Sequence, residues 1–281
     1  MHFARWELVR HGHNPSQEDF YETVPQQVLK AQALRGSYFI NNKSGSNCDN
    51  SGAGTSQAQP WCDFTPANAR TFQPGDQILL VRGTTWFQKL ELKGSGSATD
   101  WITLDVYGSG ARPIIRGNDL ASDRTIIMPE NPSYWKIQNL ELRNARYCIL
   151  VAYNTLGNVG LEFKNLYIHD IESVFLGSPT QTDYPISNSG SAFISFRNPP
   201  LLSSSQWVIK DVIFDNVEVA KSDAPGLSVG SGSFSSYPTN SIQNVLFKNC
   251  YFHALASGWG MVSASNVVIM DFRLDKVGLT P

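Results

Sequence analysis

One six-residue phrase recurs five times in the second half of this chain: hydrophobic, any residue, Asn or Asp, hydrophobic, any residue, hydrophobic. The copies are Ile137-Gln138-Asn139-Leu140-Glu141-Leu142, Phe163-Lys164-Asn165-Leu166-Tyr167-Ile168, Ile209-Lys210-Asp211-Val212-Ile213-Phe214, Phe247-Lys248-Asn249-Cys250-Tyr251-Phe252 and Ile269-Met270-Asp271-Phe272-Arg273-Leu274. Their Asn/Asp positions are spaced 26, 46, 38 and 22 residues apart. A repeat of this length marks a solenoid, whose units stack because none can bury its apolar face alone. The phrase alternates with the period of a strand, and β-branched and aromatic residues fill it. The expected fold is therefore all-β, a parallel β-helix.

The shorter spacings suit one coil of a three-faced helix. The longer ones suit a coil carrying loops, or two coils in the 46-residue case. Second strands follow at Cys148–Val151, Val174–Leu176, Gly226–Val229 and Gly260–Val262, with a further run at Ala192–Phe196. Extra length falls in two Ser/Gly/Pro-rich loops, Ser178–Ser189 and Ser231–Ser241, of the composition that loops favour. Asn and Asp tolerate tight turns and bond nearby backbone. The Asn/Asp column is thus expected to be architectural, an internal ladder between coils rather than a catalytic array.

A chain of 281 residues, 41% hydrophobic, can bury an extended core. Net charge is −2, with no basic run, which argues against nucleic acid as a partner. No apolar run approaches the ~20 residues needed to cross a membrane as a helix. Cys48 and Cys62 bracket a Gly/Ser/Asn-rich loop; a disulfide there would remove about 3 kcal/mol of unfolded-state freedom. Cys148 and Cys250 fall in strands of different coils and are expected to be buried free thiols. Together with few charges and many Ser, Asn, Gly and aromatic residues, this composition predicts a secreted protein, although Met1–Glu7 is no signal peptide.

Residues 1–36 form a separate N-terminal extension, in which Gln17–Leu34 is the one helical candidate, expected to cap the solenoid. Leu8-Val9-Arg10-His11-Gly12 spells the Arg-His-Gly motif of histidine phosphatases, but the alternating helices that fold requires do not follow. Residues 37–281 form the solenoid proper. Its opening runs through Tyr38-Phe39-Ile40, Phe72-Gln73-Pro74-Gly75-Asp76-Gln77-Ile78-Leu79-Leu80, Arg82-Gly83-Thr84-Thr85-Trp86, Trp101-Ile102-Thr103-Leu104, Tyr107-Gly108-Ser109-Gly110 and Arg112-Pro113-Ile114-Ile115. This series resembles the first coils of the pectate-lyase-like right-handed parallel β-helix superfamily. The resemblance implies a right-handed helix and a carbohydrate ligand, bound by a glycoside hydrolase, a polysaccharide lyase or a carbohydrate-binding module. Because the chain ends one strand after the last phrase, a C-terminal truncation, a further domain or a homo-oligomer is expected to cover the open coil.

Aligning the phrases puts Arg143, His169, Asp215, His253 and Asp275 in one outward column, roughly 5 Å apart. Glu141, Tyr167, Ile213, Tyr251 and Arg273 run beside it. Imidazoles and carboxylates supply acids and bases, so Asp215, His169, His253 and Asp170 are the catalytic candidates. Arg143, Tyr167, Tyr251, Trp259 and Asp223 are the expected substrate contacts, Trp259 because Gly258 and Gly260 leave its ring accessible. Hydrolysis needs a carboxyl pair, with Glu172 and Asp183 as further partners for Asp215. A lyase would use Arg143 and His169 to neutralise and deprotonate a uronate. Tyr153, Tyr184 and Tyr237 are further aromatic contacts, whereas Trp61, Trp86, Trp101, Trp135 and Trp207 are assigned to packing. No cofactor is required, no metal ligand set is visible, and calcium has no acidic cluster to announce it. The preferred function is hydrolysis of a plant or algal cell-wall polysaccharide, with lyase and pure binding as alternatives.

Overall fold

A computed structural model describes residues 35–118, 123–171, 192–197, 206–225, 228–229, 242–257, 260–261 and 264–277. The chain divides into two compact units, Met1–Leu34 and Arg35–Pro281, and all described residues belong to the second. The expected helix at Gln17–Leu34, the Leu8–Gly12 motif and the loops at 178–189 and 231–241 lie outside them.

The second unit is a right-handed parallel β-helix with three faces. The first face stacks Ser37–Ile40, Gln77–Val81, Ile102–Tyr107 and Trp135–Gln138, then the leading halves of Asn158–Ile171 and Ile209–Pro225, then Ile242–Lys248 and Ala264–Met270. The second face stacks Thr85–Trp86, Ile114–Arg116, Glu141–Ala145, the trailing halves of those two long strands, Tyr251–Ser257 and Arg273–Val277. The third stacks Leu90–Glu91, Arg124–Met128, Tyr147–Ala152, Ala192–Arg197, Ser228–Val229 and Gly260–Met261. Every one of these pairings is parallel, so each strand must wind once round the helix before meeting its neighbour. The single described helix, Thr65–Ala69, was not anticipated. It has Pro66 in its first turn, where a missing N–H costs nothing.

The core is a set of columns along the axis. Tyr38, Ile78, Leu104, Ile137, Phe163, Phe214, Phe247 and Ile269 stack in register on the first face. Phe163–Phe214 and Phe214–Phe247 ring centroids lie 5.2 and 4.6 Å apart. Ile269 and Leu274 continue core columns but are 47% and 49% exposed, since among the described residues no coil lies beyond them. Trp61, Trp86 and Trp135 are buried as expected, whereas Trp101 and Trp207 are only partly covered. The disulfide Cys48–Cys62 is present, and Cys148 and Cys250 are buried free thiols.

The register corrects one repeat. Phe163 stands beside Phe214, Leu166 beside Val217 and Tyr167 beside Glu218. The third copy is therefore Phe214-Asp215-Asn216-Val217-Glu218-Val219, five residues beyond the copy the pattern suggested. Both segments satisfy the phrase, because Asp211 and Asn216 each occupy a bend. Asn158–Ile171 pairs directly with Ile209–Pro225, so the longest interval is one coil and not two.

The Asn/Asp column is architectural and forms the expected ladder between coils, at a corner of the helix rather than in its interior. Asn139, Asn165, Asn216, Asn249 and Asp271 have φ of 64°, 51°, 55°, 54° and 49°, the left-handed region that Asn and Asp enter most readily after glycine. They turn the chain from the first face to the second and range from half-buried to exposed. Asn165 Nδ2 donates to Asn139 Oδ1 at 3.0 Å, and Asn216 Nδ2 to Asn165 Oδ1 at 2.8 Å. Asp211, Asn244 and Asn266 form a second such ladder, with bonds of 2.8 and 3.1 Å.

Candidate functional site

The second face carries two outward columns immediately after the Asn corner. One reads Arg116, Arg143, His169, Ala220, His253 and Asp275. Two residues earlier the other reads Glu141, Tyr167, Glu218, Tyr251 and Arg273. The expected columns thus hold except in one coil, where Ala220 and Glu218 replace Asp215 and Ile213. Asp215 lies before the corner, on the first face. There it meets Lys164 Nζ at 3.6 Å and accepts a bond from Asn249 Nδ2 at 3.2 Å.

Within each aromatic coil, tyrosine and histidine two residues apart point the same way and stack. Tyr167 and His169 centroids are 4.1 Å apart, and those of Tyr251 and His253 are 4.2 Å apart. Each imidazole also reaches back one coil to a glutamate. His169 Nε2 lies 3.1 Å from Glu141 Oε1, and His253 Nε2 lies 3.0 Å from Glu218 Oε1. The same Glu/Tyr–His cassette therefore occurs twice, two coils apart.

The copies differ in what surrounds them. A second left-handed bend follows the histidine column, at Asn144, Asp170, Lys221, Ala254 and Lys276. At Asp170 this bend swings the carboxylate back to His169 Nδ1, 2.7 Å away. His169 thus has carboxylates on both ring nitrogens and is only 5% exposed, although its column faces outward. At the second copy the bend residue is Ala254, and His253 has a more open side chain (25% exposed). Arg143 lies 3.5 Å from Glu141 Oε1. Burial raises the Tyr167 phenol above its ordinary range, and the nearby charges of Glu218, Asp170 and Glu141 add to this, with Arg143 opposing them. Tyr251 Oη is 3.5 Å from Asp275, and Arg273 lies 4.6 Å over the Tyr251 ring.

The structure accordingly brings Arg143, Tyr167, His169 and Asp170 together and places His253 and Tyr251 in the second copy. Trp259, Glu172, Asp183, Tyr184 and Tyr237 lie outside the described residues, as does the Asp223 side chain. Tyr153 is no surface contact: it is 1% exposed and its hydroxyl donates to Pro132 O at 3.0 Å. Glu218 is the residue sequence reasoning missed, although Phe214–Val219 spells the phrase that would have exposed it. Among the described residues, no group of three or more His, Cys, Asp or Glu side chains is disposed to hold a metal ion. No described helix is long and apolar enough to cross a membrane.

The chain superposes on a lacto-N-biosidase of Eubacterium ramulus, a GH136 protein, with a TM-score of 0.61 at 18% identity. The superposition covers 79% of this chain and 42% of that one. This chain has the parallel β-helix fold. A curated lacto-N-biosidase of Bifidobacterium longum is 24% identical over 71% of this β-helix chain, which spans 16% of that longer protein. A rhamnogalacturonan lyase also aligns, at 12% identity and a TM-score of 0.49, over 84% of this chain and 56% of its own. No protein-family model matches the sequence.

Proposed function

We propose that this β-helix is a secreted carbohydrate-active protein that hydrolyses glycosidic bonds where the first Glu/Tyr–His cassette meets Glu218 of the second. The observation that carries this is the set of carboxylates around Tyr167: Glu141 and Glu218 stand beside it on the two adjacent coils, and Asp170 lies 2.7 Å from the His169 ring that stacks on it. Glycoside hydrolysis uses one carboxyl as acid and another as base or nucleophile. Glu218 and Asp170 are the more accessible of the three, with side chains 43% and 33% exposed, and they take these roles. His169, buried between Glu141 and Asp170, positions Asp170. Tyr167, Arg143 and, one coil beyond Glu218, Tyr251 and His253 contact the sugar, with Trp259 and Asp223 as further contacts. The sequence relative supports hydrolysis over elimination, since a biosidase is a glycosidase.

A second reading, a carbohydrate-binding portion of a longer enzyme, is favoured by one fact. The chain spans less than half of the solved relative. One experiment separates these. The protein is incubated with plant and algal polysaccharides and with galacto- and N-acetylglucosamine-containing oligosaccharides, and both new reducing ends and the ultraviolet absorbance of unsaturated uronates are read. Reducing ends alone are expected. Reducing ends together with absorbance would make it a lyase, and binding without products would make it a binding module.

A further inference from the structure

On the first face, apart from the Tyr–His columns, Ser37, Gln77, Thr103 and Lys136 stand side by side on four consecutive coils. With Trp101 and Asp100 at one side, they line a groove of about 310 Å³, at the small end of the range of small-ligand sites.

The groove is pre-formed. On one wall Asp76, 1% exposed, accepts bonds from Gly36 N at 2.8 Å and Gln73 N at 2.9 Å. The other wall is pinned by Gly96 N donating to Ser133 O at 2.9 Å and by Ile102 N donating to Tyr134 O at 3.0 Å. Trp101 is fixed edge-on to Tyr134, with centroids 5.6 Å apart. Its rim rests on Gly160, where an added Cβ would come within 2.8 Å of the ring.

The chemistry on offer is selective. Both cations already have partners: Arg35 pairs with Asp100, and Lys136 sits 3.3 Å from Glu162 and 5.3 Å over one face of the Trp101 ring. They therefore offer little to an anion. By contrast, the side chains of Ser37, Gln77 and Thr103 have no hydrogen-bond partner among the described residues. A row of hydroxyl and amide groups beside a partly exposed indole matches a pyranose, whose rim is hydroxylated and whose face is apolar. We infer that this groove is a second carbohydrate site, separate from the Tyr–His columns, that binds a short segment of neutral glycan. It would hold a chain against the β-helix without cleaving it.

Calorimetric titration of the full chain with cellohexaose, xylohexaose, a galactose hexasaccharide and an oligogalacturonate tests this. At least one neutral hexasaccharide is expected to bind, at least tenfold more tightly than the oligogalacturonate. Trp101→Ala should lower that affinity at least tenfold, and Gln77→Ala, at an exposed position that leaves the fold intact, several-fold. The assignment is overturned if no neutral chain binds, if the uronate binds best, or if the Gln77→Ala and Trp101→Ala proteins bind like the parent. It is also overturned if His169→Gln abolishes the binding, which would put the ligand on the Tyr–His columns.

Discussion

The Glu141 carboxylate meets the His169 imidazole across two adjacent coils at 3.1 Å. The parallel pairing of Glu141–Ala145 with Asn158–Ile171 produces it, by setting Glu141 beside Tyr167 and Arg143 beside His169. Glu218 and His253 repeat the relation.

If hydrolysis occurs where the two cassettes meet, Glu218→Gln lowers its rate by about 10²-fold or more, the range for loss of a general acid or base. His169→Gln should also alter the pH–rate profile, because Asp170 would lose the imidazole 2.7 Å from its carboxylate. Steady-state rates across pH for both variants check this.

Asp215→Asn should leave the rate close to that of the parent. Its carboxylate serves Lys164 and Asn249 before the corner, on a different face from the two columns. A loss matching that of Glu218→Gln would mean that the centre includes the first face.

Asn216→Ala should destabilise by about 1–2 kcal/mol, the cost of placing an ordinary residue in the left-handed region. It also removes the 2.8 Å bond to Asn165. Asn216→Gly keeps the backbone freedom at φ 55° and should cost less. Urea unfolding of the two variants ranks them.

The Tyr167 phenol, raised above its ordinary range by burial and three carboxylates, stays protonated when exposed tyrosines ionise. Its folded pKa lies above the unfolded one, so its contribution to stability is complete below the ordinary phenol pKa and is lost as pH rises through the raised value. Phenolate absorbance should show several late-titrating groups, since burial also raises Tyr38, Tyr107 and Tyr153, and Tyr167→Phe should remove one of them. Glu218→Gln should move that titration toward the ordinary value.

Native protein should show no thiol reactive toward a disulfide reagent, and denatured protein two, since Cys148 and Cys250 are buried. Burial pushes both thiols up, which suppresses the reactive thiolate. Fast native labelling would contradict that placement.

Much of this was legible in the residues. Alternation announced strands, the recurrent Asn/Asp announced corners, and the scarcity of histidine drew the eye to His169 and His253. What failed was local. Ile209–Phe214 and Phe214–Val219 fit the phrase equally well, so pattern alone assigned Asp215 to a column that belongs to Ala220. Pattern also put His169 on an open surface. The bend at Asp170 and the reach of Glu141, which together cover it, are not written in any single segment.

The sequence by itself determined the unit: strand period, apolar columns, turn residues tolerant of positive φ, and a disulfide-closed loop. These follow from steric and solvation preferences within a few residues. Only the tertiary structure decided which unit lies on which, and in what register. That choice rests on hydrogen bonds and ring stacking between segments tens of residues apart, and a shift of five residues in one coil exchanges Asp215 for Glu218 at the candidate site. The cassette is thus a property of stacking, even though each of its residues stands in a phrase the sequence repeats.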